Sequence, residues 1–194
     1  VYLGEMKPEA LILCIDIRNF SNFLCKHTEQ TVFDMLTSFT SNFLSCVNQY
    51  GENCSYYKLL GDGAFVIWDN ADDLAVEEAL MVFNTYLSFA KEEFFTEYSD
   101  LGLGGALVQE VIYKYEISAE MSSLKYRDYF GYGINLACRL QGIADKDRLI
   151  VNKILANKKY FETIVSTEPK LLKDLNSLKG LKDDDKGAVY FYKN

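Results

Sequence analysis

The chain has 194 residues, 49% of them hydrophobic and 14% aromatic, enough to bury the core of a single domain spanning 1–194. A formal net charge of −8 argues against a nucleic-acid-binding face, which is normally basic, but allows a nucleotide ligand, whose phosphates need only a few local cations. No apolar run approaches the roughly 20 residues that span a bilayer, so no membrane partner is expected.

Five cysteines, odd in number and without a C-x-x-C pair, read as small core residues in a reducing, cytoplasmic setting. The single histidine, His27, gives no basis for a histidine-rich metal site or a Ser-His-Asp triad. Any chemistry must run on carboxylates, amides, lysines and arginines.

In chain order, the continuous apolar run Leu11-Ile12-Leu13-Cys14-Ile15 predicts a strand buried on both faces, ending at Asp16. Over residues 28–50, Val32, Phe33, Leu36, Phe39, Phe43 and Leu44 recur at helical spacing, with Gly51 as the stop. The apolar segments either side of Gly61-Asp62-Gly63 predict a hairpin over 56–68 with a carboxylate at its tip. Alternation places Tyr56, Lys58, Leu60 and Asp62 on one face of it.

A second long helix is predicted over 70–98, with Asn70 as its N-cap and Leu74 among its apolar positions. Residues 101–115 read as two strands or one bent strand, 118–127 as a polar loop or arm, and 132–144 as a helix. A strand at 149–151, a helix at 153–160 and closing strands at 161–167 and 188–192 complete the pattern. Residues 182–186 read as a solvated turn without a role. The order predicts an α+β fold, helices covering a mainly antiparallel sheet.

Three separated motifs then line up with one family. Asp16-Ile17-Arg18-Asn19-Phe20-Ser21 resembles the D-I-x-x-F-[ST] of class III nucleotidyl cyclases, and Lys58-Leu59-Leu60-Gly61-Asp62 resembles their K-x-x-G-D hairpin. Asp128-Tyr129-Phe130-Gly131, running into Asn135-Leu136-Ala137-Cys138-Arg139-Leu140, is similar to their D-x-x-G-x-x-[VI]-N-x-A-x-R-[LM]. The resemblance covers roughly residues 8–192 and implies a ferredoxin-like cyclase homology domain.

It also implies roles. Asp16 and Asp62, with the Ile17 carbonyl, would hold two divalent metal ions, Mg²⁺ or Mn²⁺. Lys58 and Asp128 would read the base, with Tyr56 on the same face. Asn135 would position the ribose and Arg139 would stabilise transition-state charge. Backbone N–H groups from Ile17 through Asn19, Phe20 and Ser21 would cradle the triphosphate. The chemistry suits these types: hard oxygen ligands match Mg²⁺ or Mn²⁺, and Asn135 and Arg139, four apart on a helix, can reach one ligand. In this family the metal pair and the Asn/Arg pair come from opposite subunits, which implies a homodimer with two shared sites.

A donor–acceptor pair such as Lys58 and Asp128 matches adenine N1/N6 and cytosine N3/N4 alike. Aromatic residues near that end (Tyr56, Tyr129, Phe130) would crowd the pocket and favour a single-ring base. The segment Asp128-Tyr129-Phe130-Gly131-Tyr132-Gly133-Ile134-Asn135 is similar to free-standing pyrimidine cyclases of the Pycsar anti-phage systems, which signal to a receptor in another chain through cyclic CMP or cyclic UMP. The resulting expectation is a cyclase acting on CTP or UTP, with adenylate cyclase as the alternative. Tyr132 and the lack of a clear phosphate-contacting lysine, with Lys179 and Lys182 the nearest, depart from the family pattern. An inactive nucleotide-binding regulator is disfavoured because Asp16, Asp62, Asn135 and Arg139 all stand, and a diguanylate cyclase because G-G-[DE]-E-F is absent.

Overall fold

The computed structural model describes residues 2–119, 123–162, 165–167, 172–186 and 190–192. Its framework is a pair of 17-residue antiparallel strands, β1 (Tyr2–Arg18) and β4 (Gly102–Ser118). β1 was expected only over its apolar run. That run, with Ala10, is the buried inner half, while residues 2–9 continue outward at the surface against the outer half of β4. The register shifts between Lys7 and Ala10, a bulge where the ribbon leaves the body. β4 is one continuous strand rather than two.

β2 (Tyr56–Leu59) and β3 (Gly63–Trp68) form the expected hairpin, and β3 pairs with β1. β5 (Lys125–Phe130) occupies part of the predicted polar loop and pairs with outer β4, from Tyr113↔Phe130 to Ser118↔Lys125. Residues 120–122 of that loop lie outside the described residues. β6 (Arg148–Val151), β7 (Val165–Thr167) and β8 (Tyr190–Tyr192) complete the sheet, in the order β2-β3-β1-β4-β6-β8-β7 with β5 on β4. Among the described residues only the β4–β6 pairing is parallel. Of the two predicted closing strands, 165–167 and 190–192 are strands, Phe161 ends a 3₁₀ turn (Lys159–Phe161), and 163, 164, 188 and 189 lie outside the described residues.

Helices cover both faces. α1 (Phe20–Lys26) follows β1 directly. α2 (Glu29–Tyr50) is capped by Thr28, whose side chain accepts from the Thr31 N–H, and buries Met35, Phe39, Phe43 and Val47 at four-residue intervals. Phe33, expected inside, is 65% exposed because it lies off this stripe. α3 (Asp73–Glu93) starts at Asp72, not Asn70: the Asp72 side chain accepts from the Ala75 N–H at 2.8 Å. Leu74 consequently points to solvent. α2 and α3 pack on the face formed by Leu11, Leu13, Ile15, Val66 and Trp68.

The opposite face, with Ile12, Cys14, Phe65, Ile67 and Val108, is covered by Leu136, Ala137 and Leu140 of α4 (Tyr132–Ile143), and Leu175 of α6 (Leu172–Ser177) joins the same cluster. The helix expected over 153–160 is a single turn, α5 (Lys153–Ala156), before the 3₁₀ turn.

One buried carboxylate ties α3 to the hairpin. Glu78 accepts from Trp68 Nε1 at 2.7 Å and from Asn53 Nδ2 at 2.5 Å. Truncating it strands both donors, so Glu78→Ala should lower unfolding free energy by about 2 kcal/mol, read as a lower urea midpoint at unchanged slope.

Candidate functional site

Side chains alternate along β1, so Asp16 and Arg18 follow Ile12 and Cys14 onto the α4 face. Asp16 stands opposite Gly63 of β3 and Gly104 of β4. The hairpin turn is the glycine-first form: Gly61 takes φ 78° and Asp62 follows it. Gly63 serves a different need. A Cβ there would lie 2.7 Å from the Ile15 carbonyl oxygen and 3.3 Å from Asp16 Oδ1, so glycine lets the turn close onto the end of β1.

The Ile17 N–H donates to the Asp62 carbonyl at 2.9 Å, which fixes the two aspartates side by side. Burial first, and then the neighbouring Asp62 carboxylate, push Asp16 up to about 6, against the pull of Arg18. Two adjacent oxygen donors whose charges repel are the arrangement that a hard divalent cation relieves. The donor set therefore fits such an ion. Among the described residues no cluster of three or more His, Cys, Asp or Glu side chains could hold one, so a backbone carbonyl such as that of Ile17 would be needed.

Because its N–H is spent on Asp62, Ile17 cannot also donate to a phosphate. The chain turns from β1 into α1 at Asn19, which is left-handed at φ 66° and accepts from the Asn22 amide through Oδ1 at 2.5 Å. Phe20 is buried and Ser21 exposed.

At the hairpin's outer edge, Tyr56 and Lys58 share a face as expected. Both reach Asp128 of β5, whose carboxylate takes four donors. Lys58 Nζ at 2.5 Å and the Tyr126 hydroxyl at 2.7 Å bind Oδ2; the Tyr129 N–H at 2.8 Å and the Tyr56 hydroxyl at 3.0 Å bind Oδ1. Burial raises the Asp128 carboxyl, but the bonds from Lys58, Tyr126, the Tyr129 N–H and Tyr56 outweigh it and hold it down to about 2. Burial and the bond to Asp128 push the Tyr56 phenol up to about 12.

A carboxylate whose folded pKa lies below its unfolded value stabilises the fold above the unfolded value, and that stability drains away as pH falls through the folded one. Asp128→Asn should therefore cost on the order of 1–2 kcal/mol at pH 7, with the difference from the parent shrinking between about pH 4 and pH 2. Denaturant unfolding at both ends of that range checks it.

Tyr126 was missed from the sequence, where 118–127 read as a polar loop. The signal is the alternation of Tyr126 with Asp128 once 125–130 is taken as a strand. Of the aromatics expected around Asp128, Tyr129 packs on Tyr56 with ring centres 4.9 Å apart and donates to Asp69 at 2.9 Å. Phe130 lies instead against Tyr113 and Tyr115.

α4 carries the remaining pair. Its N-cap, Gly131, sits at φ 125°, where a side chain would be strained. Asn135 donates to the Gly180 carbonyl at 3.0 Å and Arg139 is exposed. The 182–186 segment is not an idle turn. The Tyr132 hydroxyl donates to Asp185 at 2.5 Å and accepts from the Lys182 N–H at 2.8 Å, while the Lys182 ammonium lies 4.3 Å from the Tyr132 ring centre. Tyr132 thus anchors residues 180–185 against the start of α4, beside Asn135, and occupies the Lys182 charge. Lys179 is exposed.

No family model and no curated protein sequence matches the chain. Solved structures do match in fold. The adenylyl cyclase CyaB from P. aeruginosa superposes with a TM-score of 0.75 at 13% identity, covering 99% of this chain and 96% of that one. The guanylate cyclase domain of RhGC from Catenaria anguillulae, in complex with GTP, gives 0.71 at 13% identity, covering 97% and 98%. A non-canonical dimeric guanylyl cyclase domain of the RhoGC fusion protein from Blastocladiella emersonii gives 0.70 at 12%, covering 97% and 96%. The fold is that of the class III nucleotidyl cyclase catalytic domain.

Proposed function

We propose that this chain, having the class III cyclase fold, is itself a nucleotidyl cyclase that closes a nucleoside triphosphate to a 3′,5′-cyclic nucleotide with release of pyrophosphate. The observation that carries this reading is the geometry of Asp16 and Asp62, held side by side by the Ile17–Asp62 backbone bond on the sheet face that α4 covers. That helix bears Asn135 and Arg139.

Asp16, Asp62 and the Ile17 carbonyl would hold two divalent cations, Mg²⁺ or Mn²⁺, which supply activation of the ribose 3′-hydroxyl and neutralisation of phosphate charge when bound. Asn135 holds the ribose, and Arg139 offers a planar fork to oxygens on the reacting phosphate. The N–H groups of Asn19, Phe20 and Ser21 receive the triphosphate. Lys58 keeps two protons beyond the one given to Asp128 and donates them to a base acceptor. Asp128 already accepts four bonds, so a base amine binds it only by displacing a donor, and the Tyr56 hydroxyl, at 3.0 Å, is the longest of the four.

A homodimer completes the site. Residues on the outer ribbon, among them Tyr2, Leu3, Met6, Ile117 and Tyr126, are exposed and apolar or aromatic, as a contact surface for a second copy would be. Tyr56, Tyr126 and Tyr129 stand around Asp128, which supports a single-ring base, CTP or UTP, with cyclic CMP or cyclic UMP signalling phage infection to a receptor in another chain. The second reading is adenylate cyclase, since the Lys58–Asp128 pair fits adenine equally well.

The test is incubation with ATP, GTP, CTP and UTP, each with Mn²⁺, and identification of products by mass spectrometry. Cyclic CMP or cyclic UMP supports the first reading and cyclic AMP the second. No cyclic product from any of the four overturns both in favour of a nucleotide-binding regulator.

A further inference from the structure

One side chain joins the two halves of the site within a single chain. Arg18 ends β1, two residues beyond Asp16 and on the same face. Its Nε donates to the Ala144 carbonyl at 2.9 Å and its Nη2 donates to the Gln141 carbonyl, so a single guanidinium satisfies two carbonyls at the C-terminus of α4. Its Nη1 lies 3.7 Å from Asp16 Oδ2.

The space for it is built in. A Cβ on Gly104, opposite Asp16, would run into the guanidinium, so a side chain there would displace the arginine from this position. The buried Gln141 side chain fills the same gap, and with its amide oxygen turned toward Arg18 it accepts from Nη1 at 2.8 Å and from Nη2 at 2.9 Å. Asp16, Arg18 and Gln141 form a continuous polar tie between the end of β1 and the last turn of α4. A cation favours the negative end of a helix, so the tie also suits the α4 dipole.

We propose that Arg18 is a positioning residue that links the two sites of the dimer, because it touches the carboxylate its chain gives to one site and the helix its chain gives to the other. The proposal rests on the shared-site reading above. Metal or nucleotide bound against Asp16 would, through Arg18, adjust where Arg139 is held for the neighbouring site.

The tie predicts a specific pattern in heterodimers purified through two different affinity tags. An Arg139→Ala chain paired with an unmodified chain keeps one working site, built from the carboxylates of the first and the Asn135–Arg139 pair of the second. Arg18→Ala placed in the first chain tests the link to Asp16, and placed in the second it tests the link to α4. Both placements should lower kcat about tenfold or more, with KM changing less. Arg18→Lys should not rescue, because an ammonium lacks the fork that reaches both carbonyls and the carboxylate.

A loss in one placement only overturns the link; fraying of α4 alone, for example, would act only in the chain supplying Arg139. A second readout needs no turnover. On adding Mn²⁺, amide hydrogen exchange should change at residues 60–63 in both the unmodified and the Arg18→Ala protein, but at residues 139–144 in the unmodified protein alone. An equal response at 139–144 in both overturns the proposal. An inactive parent heterodimer would instead refute shared sites, and the exchange measurement would still decide the tie within one chain.

Discussion

Asp62→Ala should abolish cyclic nucleotide formation while leaving the fold intact. The expected fall in kcat is about 10³-fold or more, equivalent to roughly 4 kcal/mol of lost transition-state stabilisation. The fold should survive because the structural duty of residue 62 is carried by its backbone: the carbonyl accepts from the Ile17 N–H, and Gly61 supplies the left-handed turn. The Asp62 carboxylate itself is a liability to the fold without a cation beside it: after burial, it is the next cause that pushes the neighbouring Asp16 up to about 6. Removing it relieves that repulsion. Product assay by mass spectrometry with thermal melting alongside checks both halves. Retained activity with an unchanged melting curve would sink the two-metal assignment.

What the sequence made legible was whatever depends on local pattern. Asp16 and Asp62 were each placed by local pattern, at a strand end and at a hairpin tip; their pairing was implied by the family resemblance, and antiparallel pairing of β1 with β3 brings them together. Helices α2 and α4 followed from their apolar spacing. Finer boundaries failed where two residues offer the same chemistry. Asn70 and Asp72 are both good N-caps, and the reach of the Asp72 side chain to the Ala75 N–H decides between them.

Other features depend on contacts distant in sequence. β5 has no apolar alternation because its partner, outer β4, is a surface ribbon of Tyr, Lys and Glu; Tyr126 therefore looked like loop. Arg18 stood inside a recognised motif, yet its partners are backbone carbonyls 123 and 126 residues away, and no residue type marks a carbonyl. Residues 182–186 looked like a solvated acidic turn because nothing in them announces the Tyr132 hydroxyl waiting at the start of α4.

A site divided between subunits, as proposed, has the sharpest consequence. Each chain presents Asp16 and Asp62 at one end of β1 and Asn135 and Arg139 on α4. If a working site takes its carboxylates from one chain and its Asn/Arg pair from the other, an Asp16→Ala homodimer lacks a metal ligand in both sites, and an Arg139→Ala homodimer lacks the charge-stabilising fork in both. Both should be inactive. In a heterodimer of the two, one site inherits both lesions and the other neither, so random assortment should restore about a quarter of the parent activity. Both variants should fold, since Arg139 is exposed and Asp16 is half-buried at a strand end. The measurement is product formation against mixing ratio, with heterodimer content established by tandem-tag purification. Activity peaking at equal mixing establishes shared sites. Flat, absent activity in preparations shown to contain heterodimers would mean that each chain builds its site from its own residues, and Arg139 would then have to reach Asp16 across a single protomer.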